Sequence, residues 1–205
     1  MTQTASRRRL PAHARRGLLL DSAGRLFGER GYDGVSLNEV AAAAGVTKPI
    51  LYRHFDSKGA LYLALLERHR ADLDSFAPLI PAQGAPRERL RTVLEAWLTY
   101  VERHSYAWKM LFRDSGGGPE IEAFRRDVHA RARAVLAQII RSMSEVKLPD
   151  REVEPLAELM SMGMGSLVVW WIETGAAARE ALIDALARMW LGLLAPEEAV
   201  VAFIV

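Results

Sequence analysis

The chain has 205 residues, of which half are apolar and a quarter are charged. A chain of this length and composition can bury a core in one or two domains, which excludes a disordered polymer or a coiled rod. It contains no cysteine. Disulfide scaffolds, thiolate zinc sites, iron–sulfur clusters and cysteine nucleophiles are therefore excluded.

Positive charge is concentrated in the first third of the chain. Residues 1–70 contain 12 Lys and Arg against 6 Asp and Glu, whereas residues 71–205 contain 15 against 19. All five tryptophans lie in the second, acidic part. This asymmetry predicts two domains with different roles. A basic end is typical of polyanion-binding proteins, although many ordinary domains carry a similar excess.

Apolar residues recur at helical spacing along most of the chain, which predicts an all-α protein. The breaks between the helices fall at glycine and proline. We expect about nine helices, at residues 13–30, 37–44, 48–54, 58–76, 87–104, 106–113, 119–144, 151–174 and 178–194.

No membrane-spanning or secretory segment is expected. The longest apolar stretch, Leu159 to Ile172, has 14 residues and includes two Ser and two Gly. It is shorter than the ~20 residues that cross a bilayer, which favours a buried helix. Arg7–Arg9 are followed by Leu10 and Pro11 rather than by an apolar run with a cleavage site. We therefore predict a cytoplasmic protein that does not bind membranes.

Residues 36–55 carry the pattern of two short helices joined by a tight turn. Ser36 and Glu39 form a capping box that begins the first helix. Gly45 stands where a helix ends in a left-handed residue. Thr47 is placed to cap the second helix, and Pro49 lies in its first turn, where a missing N–H costs nothing. The pattern predicts a helix-turn-helix.

The second of these helices exposes hydrogen-bond donors. Leu51 and Phe55, four residues apart, face inward. Such a helix can enter the major groove of DNA, although any solvated helix also has a polar face. The basic tract Arg7–Arg9 and the nearby Lys58 favour DNA binding. The outward residues are Lys48, Pro49, Tyr52, Arg53 and His54, all but Pro49 being donors.

Residues 17–67 combine a helical Leu26-Phe27 pair, a Gly31-Tyr32 corner, the helix-turn-helix and Ser57-Lys58, and in this combination they resemble the TetR family of bacterial transcriptional repressors. The resemblance implies a dimeric regulator that releases DNA when a small molecule binds. It implies a basic flexible arm at 1–12, a helix-turn-helix DNA-binding domain at 13–60 and a larger helical ligand-binding and dimerisation domain at 61–205. The motifs that carry it are Ala23-Gly24-Arg25-Leu26-Phe27, Gly31-Tyr32, Val40-Ala41, Ala44-Gly45-Val46, Leu51-Tyr52-Arg53-His54-Phe55, Ser57-Lys58 and Leu61.

The resemblance also assigns DNA contacts by position. Lys48 and Pro49 stand where the family touches bases, since Lys can donate to guanine and Pro can pack on a thymine methyl. Tyr52 and His54 stand where it grips phosphate or base edges. Many relatives have a small or hydroxyl residue where this chain has Ile50. This difference leaves open whether the position makes a hydrogen bond to DNA, as a hydroxyl would, or only an apolar contact. The complete predicted DNA-binding set is Ser36, Asn38, Thr47, Lys48, Pro49, Tyr52, Arg53, His54 and Lys58.

Aromatic and methionine side chains of the second part could line a cavity for an apolar or aromatic ligand. Packed core is the alternative for each of them. Arg113, His129 and Glu173 are polar candidates for orienting a ligand. The predicted ligand contacts are Trp97, Tyr100, Trp108, Phe112, Met160, Met164 and Trp170.

The last two helices are predicted to form a homodimer surface. Ser161 and Gly165 are small enough to let a partner helix approach. The alternative is that both helices bury against their own domain. The apolar tail 199–205 has no interpretation. The apolar residues predicted for the dimer surface are Leu167, Val168, Trp171, Leu182, Leu186, Met189 and Leu193.

Enzymatic functions are disfavoured. Gly163-Met164-Gly165-Ser166-Leu167 places the serine one position late for a nucleophile elbow, and no phosphate-binding glycine loop precedes a Lys. No two histidines have the spacing that puts two metal ligands on one helix face. We predict no catalytic residue, metal or cofactor.

The most consistent function is a repressor released from a palindromic operator, in double-stranded DNA, by a small apolar ligand. A ligand-dependent activator or co-repressed regulator on the same fold is one alternative. A helical small-molecule-binding protein without DNA function is another.

Overall fold

The computed structural model describes residues 11–74, 85–143 and 148–194. The basic arm with Arg7–Arg9, the break around Pro78 and the tail 199–205 lie outside these residues. Within them the chain forms nine helices and no strand, which confirms the predicted fold class. The helices are α1 Ala12–Arg30, α2 Leu37–Ala43, α3 Lys48–Tyr52, α4 Lys58–Asp74, α5 Pro86–Arg103, α6 Ser105–Phe112, α7 Gly118–Met143, α8 Asp150–Thr174 and α9 Arg179–Leu194.

The first hydrophobic core joins α1–α4 to parts of α6 and α7. Phe27 of α1, Leu51 of α3 and Tyr62 of α4 are buried at its centre. Met110 and Leu111 of α6 belong to the same cluster. The amino-terminal helices therefore share one continuous core with the middle of the chain.

The second core lies among α5, α6, α7, α8 and α9. Leu98 of α5, Ile140 of α7 and Ile183 of α9 are completely buried in it. Arg91 of α5 ties the outer side of this core together, since it donates to Asp184 (2.8 Å) and Glu180 (2.6 Å) of α9. This bundle surrounds the cavity described below.

Helix α8 alone, in the part of the chain that the structure describes, is long and apolar enough to cross a membrane. Core helices of soluble proteins meet the same criterion, so length and composition are weak evidence. One face of α8 is buried, and the helix packs against α6 and α7. This agrees with the buried helix expected from the sequence.

Ser161 and Gly165 of α8 face inward, contrary to the expectation that a partner helix approaches them, whereas Gly163 between them is exposed. Gly165 packs against the ring of Phe112 in the same chain, and Ser161 is buried. Both lie on the α8 face that is buried against α6 and α7, since residues four apart share one side of a helix. Three of the apolar residues assigned to the dimer surface also belong to the second core, namely Val168, Leu182 and Leu186.

One residue of the predicted dimer surface, Met189, is exposed, together with three residues of α8 that were not assigned to that surface. Leu159 is 64% exposed and Trp170 is 45% exposed, with Met162 and Met189 close behind. Trp171 is half-buried, and its indole N–H donates to the carbonyl of Ala177 (2.8 Å). For Leu193 the structure describes the helical backbone but not the side chain.

Candidate DNA-binding surface and internal cavity

A capping box begins α2, as the sequence predicts. The backbone N–H of Ser36 donates to Oε2 of Glu39 (2.8 Å), and the N–H of Glu39 donates to Oγ of Ser36 (3.3 Å). Arg30 of α1 donates to Oε1 of the same carboxylate (2.8 Å). The Ser36 hydrogen bonds, with Arg30, lower the pKa of Glu39 to about 2. Ser36 and Glu39 thus fix the start of α2 and connect it to α1.

The turn between α2 and α3 uses a left-handed glycine. Gly45 has φ of +64°, and the N–H of Val46 donates to the carbonyl of Ala41 (2.9 Å). Thr47 occupies the N-cap position of α3, but its side chain makes no capping hydrogen bond. The start of α3 is instead defined by Pro49 in the first turn.

Helix α3 has the inward and outward faces that its spacing predicts. Leu51 and Phe55 are buried, with 0% and 4% of their surface exposed. Tyr52 is 42% exposed, and Nζ of Lys48 lies 5.7 Å from the centre of its ring. Four of the predicted outward residues are exposed and His54 is half-buried; the exposed four are Lys48, Pro49, Tyr52 and Arg53.

Five of the nine predicted DNA-binding residues meet at an open cleft of about 540 Å³. Its wall combines residues from α2, α3 and the start of α4 with the loop that precedes α2. Thr47, Pro49, Arg53 and His54 do not line it. The five predicted residues that do are Ser36, Asn38, Lys48, Tyr52 and Lys58.

Two residues that support this cleft were missed by the sequence analysis. Tyr32 places its ring 4.3 Å from Nζ of Lys58, a cation–π contact that holds the ammonium group at the start of α4. Ser57 accepts a hydrogen bond from the N–H of Ala60 (3.0 Å) and caps α4. A serine just before an apolar helical run was an available signal for this cap.

An internal cavity of about 170 Å³ lies among the helices of the second core. Four of the seven predicted ligand contacts line it: Trp97, Trp108, Phe112 and Met164. The ring of Trp108 stacks on Phe112 and meets Trp97 edge-on, with centroids 5.4 Å apart in both pairs. Much of the remaining wall is aliphatic, including Val93, Val135, Leu136 and Ile139.

The other three predicted ligand contacts lie elsewhere. The Tyr100 hydroxyl lies 2.9 Å from Nδ1 of His69, and Trp170 is exposed on the outer side of α8. Met160 is buried in the second core but does not line the cavity. These positions differ because helical spacing predicts which residues share a face, not which neighbours that face meets.

The polar candidates also separate. Arg113 and Glu173 form an ion pair with each other and do not line the cavity. His129 does line it, with its ring 4.7 Å from that of Phe112.

Several cavity residues were not predicted. Arg70 is contributed by α4 and Trp190 by α9, both far in sequence from the other lining residues. Arg131 follows His129 by two positions on α7, and Ser161 lies on the buried face of α8. Trp190 follows the apolar face of α9, which was a usable signal, whereas Arg70 had none.

Helices α4 and α6 connect the cleft with the cavity. Helix α4 begins with Lys58 in the cleft and carries Arg70 at the cavity. Tyr106 of α6 packs against α1 where Gly24 and Gly28 leave space, and its hydroxyl accepts from Arg68 (2.8 Å).

A buried polar cluster at the end of α6 strengthens this connection. Oδ2 of Asp114 accepts from the N–H of Tyr32 (2.7 Å) and from the hydroxyl of Tyr62 (2.9 Å). Arg125 of α7 donates from Nε to the carbonyl of Met110 (3.1 Å), and its Nη2 lies 3.9 Å from the Asp114 carboxylate. Burial raises the pKa of Tyr62 above its usual value, so this hydroxyl stays protonated and donates.

His69 of α4, which lies against Tyr100 of α5, is also held neutral. His69 is completely buried, and burial lowers its pKa to about 3. Its ring meets that of Tyr106 edge-on, with centroids 5.0 Å apart. Within the described ranges, no group of acidic and histidine side chains could hold a metal ion.

Both the amino-terminal and the carboxy-terminal part of the chain match known protein families. Residues 19–65 match the family described as "Bacterial regulatory proteins, tetR family", and residues 86–201 match "Tetracyclin repressor-like, C-terminal domain".

Two curated relatives are named as transcriptional regulators. The putative mycofactocin biosynthesis transcriptional regulator MftR of Mycobacterium tuberculosis is 26% identical over 79% of this chain and 82% of its own length. The HTH-type transcriptional activator FasR of Mycolicibacterium smegmatis is 41% identical over 52% of this chain. The match spans only about half of the length of FasR, 49%.

Solved structures agree over most of the chain. A TetR-like transcriptional regulator from Rhodococcus sp. RHA1 covers 92% of this chain and all of its own, with 29% identity and a TM-score of 0.73. A tetR-family regulator from Streptomyces coelicolor is 27% identical, with a TM-score of 0.72 over 90% of this chain and 82% of its own. Since the family descriptions match both regions and most of the sequence, the chain belongs to the TetR family of DNA-binding transcriptional regulators.

Proposed function

We propose that this protein is a dimeric repressor that leaves a palindromic operator when a small apolar ligand, its effector, occupies the cavity. One observation carries the proposal: Leu111 of α6 lines the cavity and is also part of the core beneath α1–α4. A ligand that moves α6 must therefore disturb the packing of the DNA-binding helices. Such a ligand acts only if it prefers one of two conformations.

The cleft of α2, α3 and α4 is the DNA-binding part of this proposal. Lys48 at the start of α3 is exposed and can donate to base edges. Lys58 and Tyr52 can donate to phosphates. We assign residues 13–60 to DNA binding and 61–205 to ligand binding and dimerisation, with 1–12 as a basic arm. The protein acts without catalysis, in the cytoplasm.

The dimer is supported by the exposed side of the last two helices. Leu159, Met162 and Trp170 of α8 and Met189 of α9 expose large apolar side chains. A second copy related by a two-fold axis would cover the same patch on both chains. Such a dimer presents two α3 helices to two half-sites, which explains why the operator should be palindromic.

A ligand-dependent activator is the second candidate. The relative FasR is an HTH-type transcriptional activator, whereas IcaR of Staphylococcus aureus, 46% identical over 44 residues, is a negative transcriptional regulator. The IcaR match spans 22% of this chain. Repressor and activator would use the same cleft and cavity. They are distinguished by whether the ligand weakens or strengthens operator binding.

DNA selection with the purified full chain tests the proposal. We expect a palindromic site, bound by one or two dimers, with half-sites about one helical turn or ~34 to 36 Å apart. A single unrepeated site bound by a monomer would contradict the dimer. Effector that weakens operator binding supports the repressor, and by reciprocity operator must weaken effector binding by the same factor. Effector that strengthens it supports the activator or a co-repressed regulator.

A further inference from the structure

A buried serine in the wall of the cavity has a hydroxyl group without a hydrogen-bond partner. Ser161 of α8 lines the cavity and is 6% exposed. No hydrogen bond joins its hydroxyl to any residue that the structure describes. Buried polar groups are usually paired, because a buried hydroxyl without a partner costs free energy. Ser161 thus brings an unsatisfied donor and acceptor into the second core.

Other helical hydroxyls of this chain show the ordinary arrangement. Thr92, Thr99 and Thr174 each donate to the backbone carbonyl four residues earlier, at 3.0, 2.7 and 2.8 Å. Helices commonly satisfy a serine or threonine hydroxyl through this local bond. Ser161 does not make it, although Ala157 supplies the corresponding carbonyl. An unpaired hydroxyl is therefore not a general property of these helices.

The side chain of Ser161 points into the cavity. Ser161 and Gly165 share one side of α8, and a Cβ at Gly165 would overlap the ring of Phe112, which lines the cavity. Within the described ranges, two other wall residues are at least nine-tenths buried and carry a polar side-chain atom, namely Trp108 and Trp190. Their indole nitrogens have almost no accessible surface. The Ser161 oxygen is not among these sealed atoms, so a ligand can reach it.

The charged residues of the wall are already paired. Arg131 donates from Nε to Oδ2 of Asp127 (2.9 Å), and Nη1 of Arg70 lies 3.5 Å from the same oxygen. Both arginine side chains are partly exposed, at 53% for Arg131 and 33% for Arg70. An ion inside the cavity would therefore lose its hydration without gaining a free counter-charge. The wall favours a neutral occupant.

The size of the cavity limits its occupant. An engineered protein cavity of ~150 Å³ accommodates benzene, so the 170 Å³ found here holds one ring with a small substituent. The aliphatic and aromatic walls favour an apolar body. A water molecule is a poor partner for Ser161, because a buried water needs about two to four hydrogen bonds. An oxygen attached to an apolar body can be satisfied by the serine alone.

We propose that this cavity binds a compact, neutral molecule that carries one hydroxyl or carbonyl oxygen on an apolar body. The oxygen pairs with the hydroxyl of Ser161, which can both donate and accept. The apolar body fills the space beside Trp108 and Phe112. Ser161 thereby distinguishes an oxygenated ligand from a hydrocarbon of the same shape. This inference rests on the proposed function of the cavity and narrows its ligand to one chemical class.

Calorimetry with the full chain tests the inference on matched ligands. p-Cresol and acetophenone are the oxygenated probes, and p-xylene and α-methylstyrene are hydrocarbons of nearly the same shape. Ser161→Ala should weaken the binding of both oxygenated probes about tenfold, because one hydrogen bond is lost. It should leave the binding of the two hydrocarbons unchanged or slightly tighter. Equal changes for oxygenated and hydrocarbon ligands, or no binding of either oxygenated probe by the parent chain, would overturn the inference.

Ser166→Ala is the matched control, since it makes the same substitution on the exposed side of α8. It should leave all four affinities unchanged. Thermal unfolding without ligand then separates a ligand contact from a structural role. Ser161→Ala should unfold at the same temperature as the parent chain or at a higher one, because it removes a hydroxyl that the fold leaves unpaired. A lower unfolding temperature would show that the hydroxyl has a partner within the protein.

Benzoate tests the preference for a neutral ligand. We expect it to bind about tenfold or more weakly than acetophenone, because its carboxylate would be desolvated without a free counter-charge. Benzoate binding that equals or exceeds acetophenone binding would contradict the proposed neutrality.

Operator binding is measured separately and keeps the two proposals apart. If the protein binds a palindromic site but neither oxygenated probe, the inference about the cavity fails and the DNA-binding function stands. If p-cresol binds through Ser161 but leaves operator affinity unchanged, the inference stands and ligand control through the cavity fails.

Discussion

The cleft of α2, α3 and α4, which we propose binds DNA, and the internal cavity are built in opposite ways. The cleft is assembled from side chains within a short stretch of sequence, from Asp33 to Lys58, and most of them point outward. The cavity is assembled from six helices between Arg70 and Trp190, and its side chains point inward. An outward surface can therefore be specified by local sequence, whereas an inward surface depends on which helices face one another.

The largest expected effect comes from breaking the polar cluster between the two regions. Asp114→Ala removes the acceptor for Tyr32 and Tyr62 and leaves Arg125 buried near no carboxylate in the described part of the chain. We expect the free energy of unfolding to fall by about 3 to 5 kcal/mol, measured by urea denaturation. Glu158→Ala, which breaks the exposed pair with Arg133, should cost less than about 1 kcal/mol. Similar losses in both variants would show that the cluster does not join the regions.

The second expected effect is a pH dependence that arises at the same junction. The folded pKa of His69 is about 3, below its usual value of 6.5, so between these two pH values the unfolded state binds a proton that the folded state does not. The neutral histidine therefore does not reduce the free energy of unfolding above pH 6.5. As pH drops from 6.5 towards 3, the free energy of unfolding falls by about 1.4 kcal/mol for each pH unit. His69→Gln should reduce this slope in urea denaturation between pH 6.5 and 4. An unchanged slope would refute the assignment to His69.

The third effect separates base recognition from phosphate binding within the cleft. Lys48→Ala should cost about 1 to 3 kcal/mol on the preferred site and little on random DNA. Lys58→Ala should weaken both and reduce the salt dependence by about one unit. Fluorescence anisotropy with the two duplexes at several salt concentrations measures both. Equal losses on both duplexes for Lys48→Ala would assign that lysine to phosphate.

The smallest expected effect tests how Phe112 shapes the cavity. A Cβ at Gly165 would overlap the ring of Phe112, which lines the cavity and stacks on Trp108. Gly165→Ala should therefore lower the affinity for the effector by up to about tenfold, measured by calorimetry. Gly163→Ala is the matched control, since nothing lies within 4 Å of its added carbon. Equal effector affinities of the two variants would show that the position of Phe112 does not limit the occupant of the cavity.

The sequence predicted the cleft better than the cavity for a physical reason. The capping box of Ser36 and Glu39 and the turn at Gly45 depend on contacts within five residues, and all were predicted from the sequence. The helices themselves followed from apolar spacing and glycine or proline breaks. Thr47 shows the limit even here, since its position as N-cap was correct but its side chain makes no capping bond.

The cavity required information that no single helix contains. Trp97 and Trp108 were predicted as lining residues because they are large and apolar, but the same reasoning chose Trp170, which is exposed. Gly165 was assigned to a partner helix, whereas its neighbour is Phe112 of the same chain. Arg70 joins the cavity only because α4 packs beside α7. Such pairings follow from the packing of the whole bundle.

The contact of Tyr106 with α1 has a mechanical consequence. Its ring fills space that Gly24 and Gly28 leave, so it is a contact of shape and resists compression but not separation. Tension passes instead through hydrogen bonds, which include those from Arg68 to Tyr106 and to Asp21 (2.9 Å) and the one from the N–H of Tyr32 to Asp114 (2.7 Å). Motion of α6 towards α1 is therefore transmitted as a stiff push, and motion away from it as a weaker pull. The direction in which an occupant displaces α6 decides how strongly the DNA-binding helices respond.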